Sequence, residues 1–465
     1  MTKTLRLNSL RTEIEQMTME IIHLAGKRSA LAEEVIKEKL RTGSALVNRG
    51  VERHLRNKVI EQCERDHQDS SFALRLLNEL ISESVRIQQT HTIPEEPVNA
   101  YHMFVKANAL EKAGREIIHL EVGEPDFGPP VEVAETLTKA ATEGHAGYTQ
   151  SAGILELRTK IAEHVNEKHE INISAEQVTV TVGGRFALYL CLVTSLKPGD
   201  EVIVFDPAYP GYSDCIREVG GRPIHLSTRL EDNWSPDIGQ LEDCINKTTR
   251  MIILNSPSNP TGKLLSNSTL ENIVELATEN DIQIVSDEVY SEFVFSPHSS
   301  ILEFPQCSQV YINSFSKTFG MTGFRLGYAI SDVDTILKMT KLQTLSLTCA
   351  SEFIQYAGVK AFDCKKEVKQ YTGTIEKRQE KVNKLLDRLP VSFHRPDGGF
   401  YIFPMLNSED ETGLEFADKL LTKKGVAVVP GTGYGQEYTR FFRISVCQPE
   451  NQLVEAVNRM EAILK

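Results

Sequence analysis

The sequence predicts an all-helical front of about ninety residues, then an α/β body on a doubly wound, mainly parallel sheet with a smaller α/β domain beside it. Three observations lead there. Residues 1–90 hold three glycines and no proline and carry an apolar repeat of alternating threes and fours. Residues 91–98, HTIPEEPV, interrupt it with two prolines and two acids, the composition of a linker. Beyond them, short β-branched runs alternate with amphipathic stretches of helical period, as βαβ crossover units do.

Composition narrows the function classes. At 465 residues the chain needs more than one domain. No apolar run approaches the ~18 residues of a membrane helix, and the opening MTKTLRLNSLRTEIEQM has no signal-peptide core. A cytoplasmic protein is expected. The eight cysteines show no CxxC pair and no Cys/His spacing of a metal site, so no metal is expected. The net charge of −13 is uneven: residues 1–90 carry 15 Lys and Arg against 13 Asp and Glu, the remainder 36 against 51. An acidic body excludes nucleic acid as a partner and leaves small molecules.

In the front segment Leu7, Leu10, Ile14, Met17, Ile21, Leu24, Leu31 and Val35 form one seam, with Arg28 in the remaining position. No breaker stands before Gly43, so one helix should exceed thirty residues and about 45 Å. A ninety-residue globule cannot cover such a helix. It should pair with another copy, giving a homodimer or a higher homo-oligomer. Two shorter helices follow, near 48–66 and 70–89. Lys39 lies eleven residues after Arg28 on the same face, Asn48 and Glu52 share a face, and so do Ser84 and Gln88. Arg11 lies about a hundred degrees round the first helix from Arg28. Snorkelling at a bundle edge is one reading; a pocket of donors for an anion is the other.

Residues 5–90 resemble the all-helical chorismate mutases. The resemblance implies an intertwined three-helix dimer that binds chorismate, with Arg28, Lys39, Asn48, Glu52, Ser84 and Gln88 in its pocket and Arg11 supplied by the other subunit. The rearrangement to prephenate is unimolecular. It needs a dianion held folded and donors on the ether oxygen as the C–O bond breaks, tasks that suit the two arginines and Lys39 with Gln88. Asn48 stands where the family usually has aspartate and Val51 where it has arginine. Those departures keep open a module that only senses a ligand or dimerises.

The body carries its chemistry where parallel strands end. After QVTVTV comes GGRFAL, in which Gly183 and Gly184 open a helix beside Arg185, an arrangement suited to phosphate. After DEVIVFD, the loop PAYPGY presents Tyr209 and Tyr212. After MIILN stands Asn259 of SPSNPTG, and after IQIVS stands Asp287 of DEVY, with Tyr290. After VYIN comes SFSKTFGMTGFRLGY, residues 314–328 counted from its SF, with Ser314, Ser316, Lys317 and Arg325. A lysine among hydroxyls, glycines and an arginine suits an amine that attacks a carbonyl beside a phosphate. Residues 99–465 resemble the fold-type I pyridoxal-phosphate aminotransferases of class I and II. The resemblance implies a Schiff-base role for Lys317 with pyridoxal 5′-phosphate and a pyridine-nitrogen contact for Asp287. It implies ring contacts for Tyr209, Asn259 and Tyr290, and a phosphate cup of Gly184, Arg185, Ser314, Ser316 and Arg325, completed across a dimer by Tyr148. It assigns the substrate carboxylate to Arg443 of FFRISV, Asn259 and the Gly123 backbone. The large domain would span about 140–370 and the small domain 99–139 with 371–465. The combined reading is a bifunctional enzyme of aromatic amino-acid metabolism. Glutamate or aspartate would donate to an aromatic or prephenate-like 2-oxo acid. The alternative is an aspartate aminotransferase with an inactive mutase-like module. β-Lyase or decarboxylase chemistry on the same cofactor is a third.

Overall fold

The computed structural model describes residues 2–42, 49–91 and 98–464, without the side chains of 2–5, 40–42, 49, 50, 52, 53, 85, 86 and 88–91. Asn48 and most of the 91–98 segment lie outside the described residues. The chain divides into two compact units, 1–96 and 97–465.

The first unit is helical: α1 (Thr2–Thr42), α2 (Arg49–Arg65) and α3 (Ser70–His91). α3 packs on both others. Its apolar face, Leu74, Leu77 and Ile81, is buried with Leu55, Val59 and Ile60 of α2 beside it, and α1 buries Ala32 and Ile36. The seam read from the sequence faces elsewhere. Leu7, Leu10, Ile14, Met17, Ile21, Leu24, Leu31 and Val35 are all exposed, between 46% and 63%.

The second unit centres on a seven-stranded sheet. Its spatial order is Val178–Thr181, Gly327–Ile330, Gln309–Ser314, Gln283–Asp287, Thr249–Asn255, Glu201–Asp206 and Arg222–Ser227. Gly327–Ile330 runs antiparallel to both neighbours, and the remaining pairs are parallel. The middle strands are buried on both faces, which is why they read as unbroken apolar runs. One strand had no such signal. Arg222–Ser227 contains Pro223 and is only half-buried, and it forms the sheet edge, where a proline costs no ladder bond.

A second core draws on both ends of the unit, from Met103, Ile118 and Leu120 to Phe400, Phe416, Phe442 and Met460. Short strands tie it together. Ile118–His119 pairs with Val426–Ala427, and Phe442–Ser445 lies between Tyr401–Ile402 and Val429–Pro430. No helix among the described residues is long and apolar enough to cross a membrane.

One close approach fixes the sheet beside the glycine turn. A Cβ on Gly327 would lie 2.6 Å from the backbone of Gly183 and Gly184, a clash that backbone atoms cannot relieve by rotating a side chain. Gly327→Ala should therefore lower stability by about 1–3 kcal/mol, read as a fall in the midpoint of thermal or denaturant unfolding.

Candidate active site

Lys317 follows the strand Gln309–Ser314 on a four-residue helix, Phe315–Thr318. Ser314 caps that helix, its Oγ accepting from the Ser316 amide at 3.1 Å. The Lys317 ammonium donates to the Gly123 carbonyl at 2.5 Å. A Cβ on Gly123 would fall 1.7 Å from the Tyr401 hydroxyl, so any side chain there would have to displace the Tyr401 ring. Arg325 takes a left-handed conformation, φ 53°, and donates to the Thr322 carbonyl at 2.9 Å. Its guanidinium lies along Gly183, where a Cβ would meet it at 2.7 Å. Gly183, at φ 85°, opens the helix Gly184–Ser195, whose first-turn amides have no partners within the helix. Arg185 on that turn stands 5.5 Å from the Tyr209 ring.

Asp287 ends the strand Gln283–Asp287. Burial pushes its carboxyl up to about 6, although the Tyr212 hydroxyl donates to Oδ2 at 2.7 Å and works against the shift. The sequence shows Tyr212 only as one of two tyrosines in the loop PAYPGY. The structure makes it the donor to Asp287, with its ring edge-on to Tyr209 at 5.4 Å. Asn255, which sequence reasoning missed, donates to the Asp287 carbonyl at 2.8 Å and accepts from the Asn259 amide at 2.7 Å. The Asn259 side chain accepts from Arg443 Nη1 at 3.0 Å.

Arg443 lies on the strand Phe442–Ser445 and is 4% exposed. It also donates to the Glu121 carbonyl. Its guanidinium stacks on the Tyr401 ring at 4.2 Å, and the Tyr401 hydroxyl meets that of Tyr290 at 3.1 Å. Burial drives the Tyr290 phenol well above its ordinary range. Tyr401 is a second residue the sequence did not flag, because GGFYIF reads as core strand. Tyr148 is 88% exposed on the single chain.

In the helical unit, Arg28 donates to the Leu80 carbonyl and to Ser84 Oγ, joining α1 to α3. Lys39 is half-buried on α1, Arg11 is exposed, and Val51 is 62% exposed. The side chains of Glu52 and Gln88 lie outside the described ones. Arg56 of α2 and the buried Asn78 of α3, 2.7 Å apart, form a polar contact that the apolar text around Asn78 concealed.

The family model for aminotransferase class I and II matches residues 115–460, and that for chorismate mutase type II matches residues 10–89. An aspartate aminotransferase of Pyrococcus horikoshii is 35% identical over 369 residues, 78% of this chain and 93% of that protein. Aromatic-amino-acid aminotransferase 2 of Thermococcus litoralis is 35% identical over 357 residues, 75% of this chain and 92% of that protein. The crystal structure of an aspartate aminotransferase from Thermotoga maritima superposes with a TM-score of 0.76 at 35% identity, covering 80% of this chain and 98% of that one. The chain belongs to the class I and II aminotransferases and carries a chorismate mutase type II domain at its front.

The Asp287 carboxyl makes a stability prediction for the ligand-free protein. Its folded value of about 6 lies above the ordinary 3.8, so the fold prefers the neutral form. The contribution is whole below about pH 3.8 and is lost as pH rises through 6. Asp287→Asn should therefore be more stable than wild type at pH 8, by on the order of 2 kcal/mol, with the gap closing toward pH 4. Denaturant titrations across that range would show it; a pH-independent gap would rule out the buried carboxyl as its source.

Proposed function

We propose that the chain is a bifunctional, homodimeric enzyme. Its helical domain converts chorismate to prephenate, and its body transfers an amino group, with pyridoxal 5′-phosphate, from glutamate or aspartate to an aromatic or prephenate-like 2-oxo acid. The observation that carries the second half is the state of Arg443. Its guanidinium is buried, forms no ion pair with a carboxylate among the described residues, and leaves Nε without a hydrogen-bond partner. Glu121 is the nearby negative charge that favours the guanidinium, but it makes no direct ion pair with it. A buried charge without a directly bonded counter-charge is costly. A substrate carboxylate is the anion that suits it, in bidentate geometry.

The residues around Lys317 fit the cofactor. Asp287, a carboxyl that burial leaves in want of a donor, suits a protonated pyridine nitrogen. Tyr209 would offer a face to the ring, and Asn259 and Tyr290 would hold its phenolic oxygen. The glycine turn, Arg185, Ser314, Ser316 and Arg325 suit its phosphate, with Tyr148 reaching across from a second copy. The bound cofactor supplies the electron withdrawal that loosens the proton on the substrate's α-carbon. Lys317 is the amine placed to carry that proton, and Arg443 with the Gly123 backbone fixes the carboxylate.

Beside the site, a cavity lined in part by Tyr209, Tyr212, Trp234, Asn255 and Asn259, though not by Lys317 or Arg443, offers flat aromatic surface that would suit an aromatic acceptor. Lys263 is the one cation on its wall among the described residues, and Asp397 holds it at 3.0 Å. Burial opposes ionisation of that carboxyl, yet bonds from His394 and Lys263 keep it down at about 2. No uncommitted cation is left there for a side-chain carboxylate. In the mutase half, Arg28 at Ser84 supports an anion site, and the exposed seam of α1 supports pairing with a second copy.

Lys317→Ala should abolish transamination, at least a thousand-fold, while chorismate consumption continues. Lys39→Ala should do the reverse, lowering kcat for chorismate more than it raises KM, because charge on the ether oxygen develops mainly in the transition state. The carrying experiment measures both activities, comparing kcat/KM for phenylpyruvate, prephenate and oxaloacetate. A strong preference for oxaloacetate would replace the aromatic assignment. No mutase activity in the wild type would reduce the front domain to a ligand-sensing or dimerising module.

A further inference from the structure

Around Arg443 the structure leaves more than one buried polar atom without a hydrogen-bond partner among the described residues. Besides Arg443 Nε, these are the Tyr434 hydroxyl and Glu121 Oε2. Glu121 is an acceptor whose other oxygen takes a bond from His119 at 2.7 Å, so it cannot itself bind a second carboxylate. Tyr434 is different. Its hydroxyl is a donor, its residue is 4% exposed, and its ring lies 5.5 Å from the Arg443 guanidinium carbon.

The surroundings make that hydroxyl hard to explain as packing. Tyr434 ends the turn Gly431–Tyr434, and its ring packs edge-on to Phe403 at 5.6 Å within a cluster of Trp234, Tyr438 and Phe441. Its carbonyl accepts from Ala208 at 3.2 Å, one residue before Tyr209. Phenylalanine would fill the same space without the cost of a buried, unbonded hydroxyl, about 1–3 kcal/mol. Burial drives the phenol far above its ordinary range. The Arg443 guanidinium works against that by its charge and by a loose approach to the phenol oxygen, short of a well-formed hydrogen bond. That approach uses the oxygen as acceptor and leaves its O–H as a donor. Arg443 meanwhile has one Nη committed to Asn259 and the other to the Glu121 carbonyl. A carboxylate offers about four acceptor positions, more than the remaining guanidinium hydrogens fill.

We propose that the Tyr434 hydroxyl is a second donor to the carboxylate that Arg443 binds, and so a substrate-binding residue of the aminotransferase site. The inference rests on the reading of Arg443 given above and adds a residue to it. The hydroxyl contributes equally to ground state and transition state, because the carboxylate takes no part in the chemistry. Its loss therefore appears in KM and leaves kcat nearly unchanged.

The test is Tyr434→Phe in the holoenzyme, with two probes. One is 3-phenylpropanoate, which carries the carboxylate. The other is 2-phenylethylamine, which does not. KM for amino-acid donors and the inhibition constant of 3-phenylpropanoate should each rise about ten- to a hundred-fold, the size of one hydrogen bond to a charged group. The affinity of 2-phenylethylamine should hold, kcat should stay within about two-fold, and the ligand-free melting temperature should be unchanged or higher. Unchanged 3-phenylpropanoate binding would overturn the proposal. So would equal weakening of both probes, or a lowered melting temperature, which would make the hydroxyl a structural partner of Arg443. A wild type that neither transaminates nor binds 3-phenylpropanoate would instead remove the reading of Arg443 on which this one stands.

Discussion

The Asp287 carboxylate is enclosed at the end of a strand in the middle of the sheet, and its neighbours are arranged around that burial. The adjacent residue shows what a merely structural carboxylate looks like in the same place. Glu288 is 1% exposed, and burial pushes its carboxyl up. Yet His298, Ser286, Ser300 and the Ile301 amide all donate to it, and the His298 bond above all brings it below its ordinary value. Asp287 receives the Tyr212 hydroxyl and a long contact from the Val289 amide, and stays raised. Two carboxylates one residue apart, Glu288 fully buried and Asp287 partly so, differ also in how fully they are satisfied. The less satisfied one marks where a donor from outside the chain completes the interior.

Much of this was legible because polar residues at strand ends stand out against apolar text. Lys317, Asp287, Asn259 and Arg443 each follow or interrupt a β-branched run. Others were hidden for two physical reasons. Tyr401 and Tyr434 sit in segments whose composition is that of a core, so that only their contacts, Tyr401 with Tyr290 across 111 residues and Tyr434 with Arg443, set them apart. Asn255 acts through the backbone of its neighbours, and residue type alone carries no sign of that. The edge strand Arg222–Ser227 was missed for a third reason: Pro223 argues against a strand unless the strand is known to be an edge.

In the helical domain the sequence showed the shape of the problem better than its solution. The three helices fall where period and breakers place them, and the long seam of α1 is a real apolar stripe. A single chain leaves it uncovered, since its own buried residues, Ala32 and Ile36, lie on another face. Eight exposed apolar side chains along one helix exceed what an isolated three-helix unit tolerates in water. The second copy proposed above would cover them with the same surface, as two-fold symmetry allows. Arg28 sits inside that seam and yet turns toward Ser84 of α3. The stripe is therefore interrupted by a cation that the fold draws inward.

In the body, the groups proposed to face the substrate are linked by the main chain as well as by proximity. Asn255 closes its strand by gripping the carbonyl of Asp287 with its amide nitrogen, while its amide oxygen takes the backbone N–H of Asn259. Asn259 then holds Arg443. A carboxylate at one end and a guanidinium at the other are thus spaced by one short relay rooted in two neighbouring strands. A cofactor ring nitrogen and a substrate carboxylate must be held at a fixed separation for the bond being broken to keep its orientation. Side chains on separate loops would let that separation drift. The relay instead ties the second core, in which the Arg443 strand Phe442–Ser445 is packed, to the strand ends of the sheet.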